Sequence, residues 1–203
     1  RALEIAHSNP SVYAILGVHP HNAREIDEET YPTLRKLCAD EKVRAYGEIG
    51  LDFYRNRSPR DVQIERFREQ IQLAKELGLP IVVHDREAHK ETLGILKSEK
   101  TEENGGIIHC FSGDYGMAKE CIEMGFYVSI HGTITFKNAE GFREIIKRLP
   151  LESLLIETDA PFLAPVPFRG KRNEPSYVRY TAQKVAEIKK ISLEKVAEVT
   201  SEN

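Results

Sequence analysis

The 203-residue sequence lacks the features that mark several classes of protein. It has no tryptophan, and its three cysteines form no CxxC pair, which argues against a disulfide framework or a thiolate zinc site. No run approaches the roughly 18 apolar residues that a membrane span needs, and the first residues resemble neither a signal peptide nor a transit peptide. We therefore expect one soluble, cytoplasmic domain over residues 1–203, without membrane contact.

The chain also lacks an excess of positive charge. Its formal net charge is -3 at pH 7, so its surface as a whole repels a polyanion. A nucleic-acid partner would need a local basic patch or metal ions. Nothing in the sequence indicates an obligate protein partner.

Short apolar runs alternate with helical patterns. The clearest helical pattern follows Ser58 and Pro59, which we expect as N-cap and first helical residue, and ends at Gly78. Further helices are predicted at 31–40, 86–98, 114–124, 138–149, 176–189 and 193–200. Strands are predicted at 12–17, 42–51, 80–84, 106–111, 125–130 and 152–159. This alternation predicts a single α/β domain with parallel strands.

Two architectures fit six strands separated by helices. A doubly wound sheet usually carries a Gly-rich phosphate loop after its first strand, and the sequence has neither GxGxxG nor GxxxxGK[ST]. A (β/α)8 barrel needs roughly 250 residues and eight strands. The barrel therefore requires two strands beyond the six in this sequence.

Ionisable residues interrupt the apolar runs at their C-terminal ends. In an α/β barrel those ends face one rim, so residues that are distant in sequence converge on one cavity. Imidazoles and carboxylates together suit divalent zinc, manganese or magnesium. The residues at these ends are His19, His21, Glu48, His84, His109 and Asp159, of which we predict Glu48, His84, His109 and Asp159 as metal ligands.

Cys110 and Glu157 lie close to the predicted ligands in the sequence and are of residue types that can bind a metal. Cys110 is not expected to be a ligand beside His109, because successive side chains of a strand point to opposite faces. Glu157 lies two residues before Asp159 and so on the same face, where a carboxylate needs a partner. Whether that partner belongs to the site or to the core stays open at this point.

Six segments together resemble the TatD family of metal-dependent deoxyribonucleases, within the wider amidohydrolase barrels. The resemblance spans nearly the whole chain, in order. The segments are GVHPH (17–21), GEIGLDFYR (47–55), PIVVHDREA (80–88), HCFSG (109–113), IETDAPFLAP (156–165) and RGKRNEP (169–175).

The resemblance implies a (β/α)8 TIM barrel, with about six of its eight strands in this sequence, that hydrolyses phosphodiester bonds in DNA as a 3'-to-5' exonuclease. It implies Glu48 as the carboxylate that bridges two divalent metal ions, with His84 and His109 as ligands of one of them. Asp159 would be a metal-bound carboxylate that accepts the proton of the attacking water. His19 stands where the family places a substrate-contacting histidine, and we expect His21 to bind substrate beside it. The catalytic residues implied are Asp159, Glu48 and His19.

The sequence departs from the family at its start. Family members open with a strand bearing an HxH pair, which supplies two ligands to the second metal. This sequence has neither that pair nor the first two strands, so we expect an N-terminally truncated barrel in which only one of the two metal positions is secure.

The one dense basic cluster is Arg169, Lys171 and Arg172. We expect it to bind backbone phosphates of a DNA or oligonucleotide substrate, although such a run is also typical of a solvated loop. Two other functions remain alternatives. One is an amidohydrolase that cleaves C–N or lactone bonds; many of these bridge their metals with a carboxylated lysine, whereas Glu48 matches that position here. The other is a non-catalytic binding protein, if the HxH segment is truly absent.

Overall fold

The computed structural model describes residues 1–203, which form two compact units, Arg1–Ile108 and His109–Asn203. Strands alternate with helices in both units, as the sequence predicts. None of the helices is long and apolar enough to cross a membrane.

The first unit carries the first four strands and the helices between them. Its helices are α1 (Ala2–Ser8), α2 (Thr30–Cys38), α3 (Arg60–Leu77) and α4 (His89–Ser98), with a 3₁₀ helix at Pro20–Glu25. Its strands are β1 (Ala14–Leu16), β2 (Val43–Asp52), β3 (Ile81–Arg86) and β4 (Gly106–His109), the last of which ends on the first residue of the second unit.

The second unit continues the same alternation. Its helices are α5 (Tyr115–Glu123), α6 (Glu140–Arg148), α7 (Val178–Lys189) and α8 (Leu193–Glu202), and its strands are β5 (Phe126–Ile130) and β6 (Leu154–Ile156). The stretch from 157 to 174 contains neither helix nor strand and leads into a 3₁₀ helix at Pro175–Tyr177.

The strands pair in parallel within each unit. β1 pairs with β2, β2 pairs with β3, and in the second unit β5 pairs with β6. Because parallel neighbours need a crossover connection, each strand is followed by a helical segment before its partner begins. The ladder between β2 and β3 is irregular between Gly47 and Ile49, on either side of Glu48.

Helix α3 shows how the apolar pattern becomes packing. Phe67, Ile71 and Ala74 recur at steps of three and four and are almost fully buried. Gly78 ends the helix in the left-handed conformation, at φ 65°, as predicted. The predicted start is wrong by one residue, because the N-cap is Pro59.

Ser58 does not cap helix α3, as its hydroxyl is used elsewhere. It is fully buried, and its Oγ donates to the carbonyl of His21 and accepts from the amide of Arg24. Ser58 therefore fixes the 3₁₀ helix at Pro20–Glu25, a segment for which the sequence predicts only a loop.

Gly50 of strand β2 lies in close contact with strand β3. Its φ of +134° is rarely accessible to other residues, and a Cβ built there would lie 2.1 Å from the carbonyl oxygen of His84. A side chain at this position would push β3 and His84 away from β2.

We expect Gly50→Ala to lower the free energy of unfolding by about 3 kcal/mol, because it adds backbone strain to a clash inside the sheet. Gly94→Ala is the matched control. Gly94 lies within helix α4 with open space around its Cβ position, so alanine should raise stability by about 1 kcal/mol. Urea unfolding followed by circular dichroism measures both changes, and equal midpoints for the two variants would contradict the packing described here.

Candidate functional site

In the first unit, strands β2 and β3 bring Glu48 and His84 together. Oε2 of Glu48 lies 3.7 Å from Nδ1 of His84. The two residues belong to paired strands, and His84 lies opposite Gly50 in the ladder. The absence of a side chain at Gly50 lets the strands approach closely enough for this contact.

His19 joins this pair from the start of the 3₁₀ helix. Its Nε2 lies 3.3 Å from Nδ1 of His84 and 4.0 Å from Oε2 of Glu48. The ligand atoms of these three residues all lie within 4.8 Å of one another, which is close enough to hold one metal ion. We call His19, Glu48 and His84 the first cluster.

The ring of His19 is fixed by a backbone contact. Its Nδ1 accepts a hydrogen bond from the amide of His21 at 3.1 Å, so the proton of the neutral ring is on Nε2. Burial, followed by the neighbouring His84 and His21, lowers the pKa of His19 to about 4. His19 therefore presents a neutral N–H donor at neutral pH.

Asp52 holds two histidines from the end of β2. Its Oδ2 lies 2.8 Å from Nε2 of His21 and 3.3 Å from Nε2 of His84. Burial raises the pKa of Asp52, but the hydrogen bonds from His84, from the amide of Arg55 and from His21 outweigh it and hold the pKa well below its usual range. Asp52 is therefore ionised, and both imidazoles direct an N–H at it.

In the second unit, strand β4 ends at His109, and the chain beyond β6 brings two carboxylates to it. Nδ1 of His109 lies 2.7 Å from Oε2 of Glu157, and Nε2 lies 3.5 Å from Oδ1 of Asp159. Burial raises the pKa of Glu157, but the hydrogen bond and charge of His109 lower it to about 2. Burial lowers the pKa of His109, and its contacts with Asp159, Cys110 and Glu157 raise it above its usual range.

The partner of Glu157 belongs to the site and not to the core, because its carboxylate contacts His109, a predicted ligand. Oε1 accepts from the amide of Cys110 at 2.8 Å while Oε2 faces His109. We call His109, Glu157 and Asp159 the second cluster.

The alternation argument that set Cys110 apart from His109 fails. Strand β4 ends at His109, and Cys110 takes a left-handed φ of 45°, so its side chain does not follow the strand period. Its thiol lies with His109 and Glu157 in a group whose ligand atoms are within 4.8 Å of one another. Burial raises the pKa of this thiol well above its usual range, and the thiolate is the form that binds metal. Geometry therefore does not exclude Cys110 as a ligand, although its thiol is protonated when no metal is bound.

Both clusters fit a divalent metal by their donor chemistry. Imidazole nitrogen and carboxylate oxygen are usual ligands of zinc and manganese. In each cluster one ring nitrogen of a histidine contacts a buried or partly buried carboxylate, Asp52 or Glu157, and the other nitrogen faces Glu48 or Asp159. A carboxylate on the far nitrogen is what metal-binding histidines commonly have.

The structure thus groups the predicted residues unit by unit. Glu48 and His84 contact each other in the first unit, with His19 and His21 beside them, and His109 and Asp159 contact each other in the second. That Glu48, His84, His109 and Asp159 share one cation stays a prediction.

The predicted basic cluster lies on the loop that follows β6. Arg169, Lys171 and Arg172 are all exposed, and the guanidinium of Arg169 lies over the ring of Phe136 at 4.3 Å. The side chains are accessible, as phosphate binding requires.

Asn173 organises this loop, and sequence reasoning missed it. Asn173 is only 2% exposed, and its Nδ2 donates to the carbonyls of Thr158 and Phe162, at 2.7 and 2.5 Å. Its amide donates to the carbonyl of Pro161. These bonds tie the basic stretch to the residues on both sides of Asp159.

Solved structures with the same fold show what kind of protein this is. A TatD homologue from Escherichia coli K12, YjjV, superposes with a TM-score of 0.92 at 31% identity, covering 100% of this chain and 78% of that one. An amidohydrolase from Saccharomyces cerevisiae superposes with a TM-score of 0.84 at 20% identity, a likeness of fold alone. The predicted class, an α/β fold of the (β/α)8 barrel type shared by TatD and amidohydrolase proteins, is confirmed.

The family follows from the sequence. The profile of the TatD-related DNase family matches residues 1–203, and the chain belongs to that family of metal-dependent hydrolases. The uncharacterized metal-dependent hydrolase YabD of Bacillus subtilis is 50% identical over 203 residues, which are 100% of this chain and 80% of that protein. The 3'-5' ssDNA/RNA exonuclease TatD of Erwinia tasmaniensis is 38% identical over 192 residues, 92% of this chain and 74% of that protein.

The contacts of Asn173 predict how its loss would act. Asn173→Ala leaves two carbonyls without their donor, so we expect a loss of about 1 to 3 kcal/mol in stability and faster protease cleavage between 160 and 172. Asn104→Ala is the control, because its Nδ2 donates to a single carbonyl, that of Leu79, in the other unit. Limited proteolysis with mass spectrometry compares the two variants, and an unchanged cleavage pattern in Asn173→Ala would show that the loop is held by other contacts.

Proposed function

We propose that this chain is a nuclease that hydrolyses phosphodiester bonds in DNA with the help of divalent metal ions. The observation that carries the proposal is the first cluster, in which Oε2 of Glu48 lies 3.7 Å from Nδ1 of His84, with Nε2 of His19 3.3 Å from the same Nδ1. Membership of the TatD-related DNase family supports the choice of substrate.

The ligands we propose are Glu48, His84, His109 and Asp159, with Glu48 as the bridging carboxylate. Zinc, manganese or magnesium would fit this mixed nitrogen and oxygen set, and a second ion would need a further pair of histidine ligands. When bound, such a metal lowers the pKa of water and offsets the negative charge of the phosphodiester.

Side chains of the protein accept the proton of the attacking water and bind the substrate. Asp159 is 29% exposed, so its carboxylate is accessible to solvent and can take the proton from the attacking water. His19, held neutral with its proton on Nε2, donates to a phosphate oxygen and keeps the substrate in place. We assign His21 to the substrate side too, with its Nε2 anchored on Asp52.

Arg169, Lys171 and Arg172 bind backbone phosphates beyond the scissile bond. A local basic loop resolves the conflict between a net charge of -3 and a polyanionic substrate, because phosphate contacts act within about one Debye length of 8 to 10 Å. The rigid attachment of this loop through Asn173 supports the assignment.

Polarity and compartment complete the proposal. A relative from Erwinia tasmaniensis is named a 3'-5' ssDNA/RNA exonuclease, and we propose the same polarity here, on single-stranded oligonucleotides. Cys38, Cys110 and Cys121 are in the reduced form, which fits a reducing cytoplasm.

The first test uses a single-stranded oligonucleotide labelled at its 5' end, with manganese or zinc added. We expect a ladder of shortened products that keep the label. Asp159→Asn should reduce turnover about 100-fold or more, since the amide cannot accept the proton. Glu48→Gln should weaken metal binding, measured by titration with the metal alone.

Two outcomes would contradict this proposal. Asp159→Asn and Glu48→Gln variants as active as the parent would refute the site. A metal-loaded protein that releases no nucleotides but opens a cyclic amide would be an amidohydrolase instead. His7→Asn serves as the control substitution, because His7 pairs with Asp40 on an exposed surface.

The second test concerns the basic loop. Removing Arg169 and Lys171 by alanine substitution should raise KM with little change in kcat, and should reduce the slope of log K against log salt by about 1.4, or about 0.7 for each lost phosphate contact on a single strand. Lys119→Ala with Lys147→Ala removes the same charge from helices α5 and α6 and serves as the control. An unchanged slope in the loop variant would make Arg169 and Lys171 ordinary surface charges.

A further inference from the structure

Asp52 is a buried carboxylate that the proposed chemistry does not use directly. It is 0% exposed, although carboxylates are rarely fully buried unless they are paired. Its Oδ2 contacts the Nε2 atoms of His84 and His21, and its Oδ1 accepts from the amide of Arg55 at 2.6 Å. The amide of Arg55 is a donor, and each imidazole donates to this carboxylate when its proton is on Nε2.

The backbone of Asp52 is as firmly held as its side chain. Gln63, only 1% exposed, accepts from the amide of Asp52 at 2.8 Å and directs its Nε2 at the carbonyl of Asp52 at 3.3 Å. The same Nε2 donates to the carbonyl of Ser58 at 2.7 Å. A buried glutamine thus fixes the position from which the carboxylate reaches both rings.

The contacts on Asp52 determine which nitrogen of His84 carries a lone pair. An ionised carboxylate only accepts hydrogen bonds, so a neutral ring of His84 carries its proton on Nε2. Nδ1 then has a lone pair, which lies 3.3 Å from the N–H at Nε2 of His19 and 3.7 Å from Oε2 of Glu48. A ring with the opposite tautomer would direct an N–H at Glu48 and offer no lone pair there.

We propose that Asp52 is a positioning residue, which makes Nδ1 of His84 the metal-binding atom and holds His21 on the same carboxylate oxygen. The proposal rests on the proposed role of His84 as a metal ligand. Asp52 acts through the two histidines and does not itself touch metal or substrate.

The substitution that tests this is Asp52→Asn in the full-length protein. The amide keeps the size of the carboxylate but can donate to Nε2 of His84, which favours the tautomer with its proton on Nδ1. We expect zinc affinity to fall 10- to 100-fold, the range usual for loss of a group behind a metal-binding histidine. Titration with zinc alone against a competing chelator measures this, without nucleic acid.

Asp85→Asn is the matched control. Asp85 is also buried, at 6% exposure, and its Oδ2 contacts Nδ1 of His89 at 2.7 Å, so it pairs with a histidine that is not a proposed ligand. Both variants lose a buried carboxylate–imidazole contact, but only Asp52→Asn should lose zinc affinity. Equal losses would mean that Asp52 is merely structural, and an affinity within twofold of the parent would overturn the proposal.

If Asp52→Asn does not fold, NMR of the parent protein tests the same assignment of the metal-binding nitrogen. With ¹¹³Cd bound and the histidines labelled with ¹⁵N, we expect cadmium coupling on Nδ1 of His84 and a proton on its Nε2. Coupling on Nε2 would overturn the proposal, as would a parent that binds no metal. A parent that binds zinc but leaves DNA intact would refute the nuclease function alone.

Discussion

The hydrogen bond between a carboxylate largely shielded from solvent and one nitrogen of an imidazole is the contact on which both clusters depend. Oδ2 of Asp52 contacts Nε2 of His84, and Oε2 of Glu157 contacts Nδ1 of His109. Each bond leaves the other nitrogen facing a second carboxylate, Glu48 or Asp159. The two histidines therefore present opposite ring nitrogens, and the identity of each is decided by a residue behind it rather than by the strand that carries it.

Much of the fold can be predicted from the apolar pattern, because the spacing of apolar residues indicates which helix face and which short strands are buried. Helix α3 and its end at Gly78 follow from the spacing of Phe67, Ile71 and Ala74. Polar residues at the ends of apolar runs also locate His109 correctly at the end of β4, whereas β3 continues for two residues beyond His84. The limits of elements are less predictable, since Ser58 bonds a neighbouring segment across 37 residues instead of capping its own helix.

The residues behind the ligands are harder to find in the sequence. Asp52 follows an apolar run, as many residues before a turn do. Nothing in the segment LDFYR indicates that His21 and His84, which are distant in sequence, both contact its Oδ2. Asn173 lies in a charged stretch typical of solvated loops, yet it is buried because its amide reaches two carbonyls. Contacts of this kind depend on long-range geometry, which local propensity does not encode.

The period of a strand fails at the positions that carry the chemistry. The β2 ladder is irregular on either side of Glu48, and Cys110 and Asp159 both adopt positive φ just beyond their strands. Ladder hydrogen bonds force alternation, so a side chain can leave its alternate face only where the ladder is broken. That condition is met at strand ends and irregularities, which also explains why reasoning from alternation described the core well and misplaced Cys110. Glu48 and Asp159 therefore lie where the regular ladder is interrupted or has ended, whereas His84 is held within the ladder, opposite Gly50.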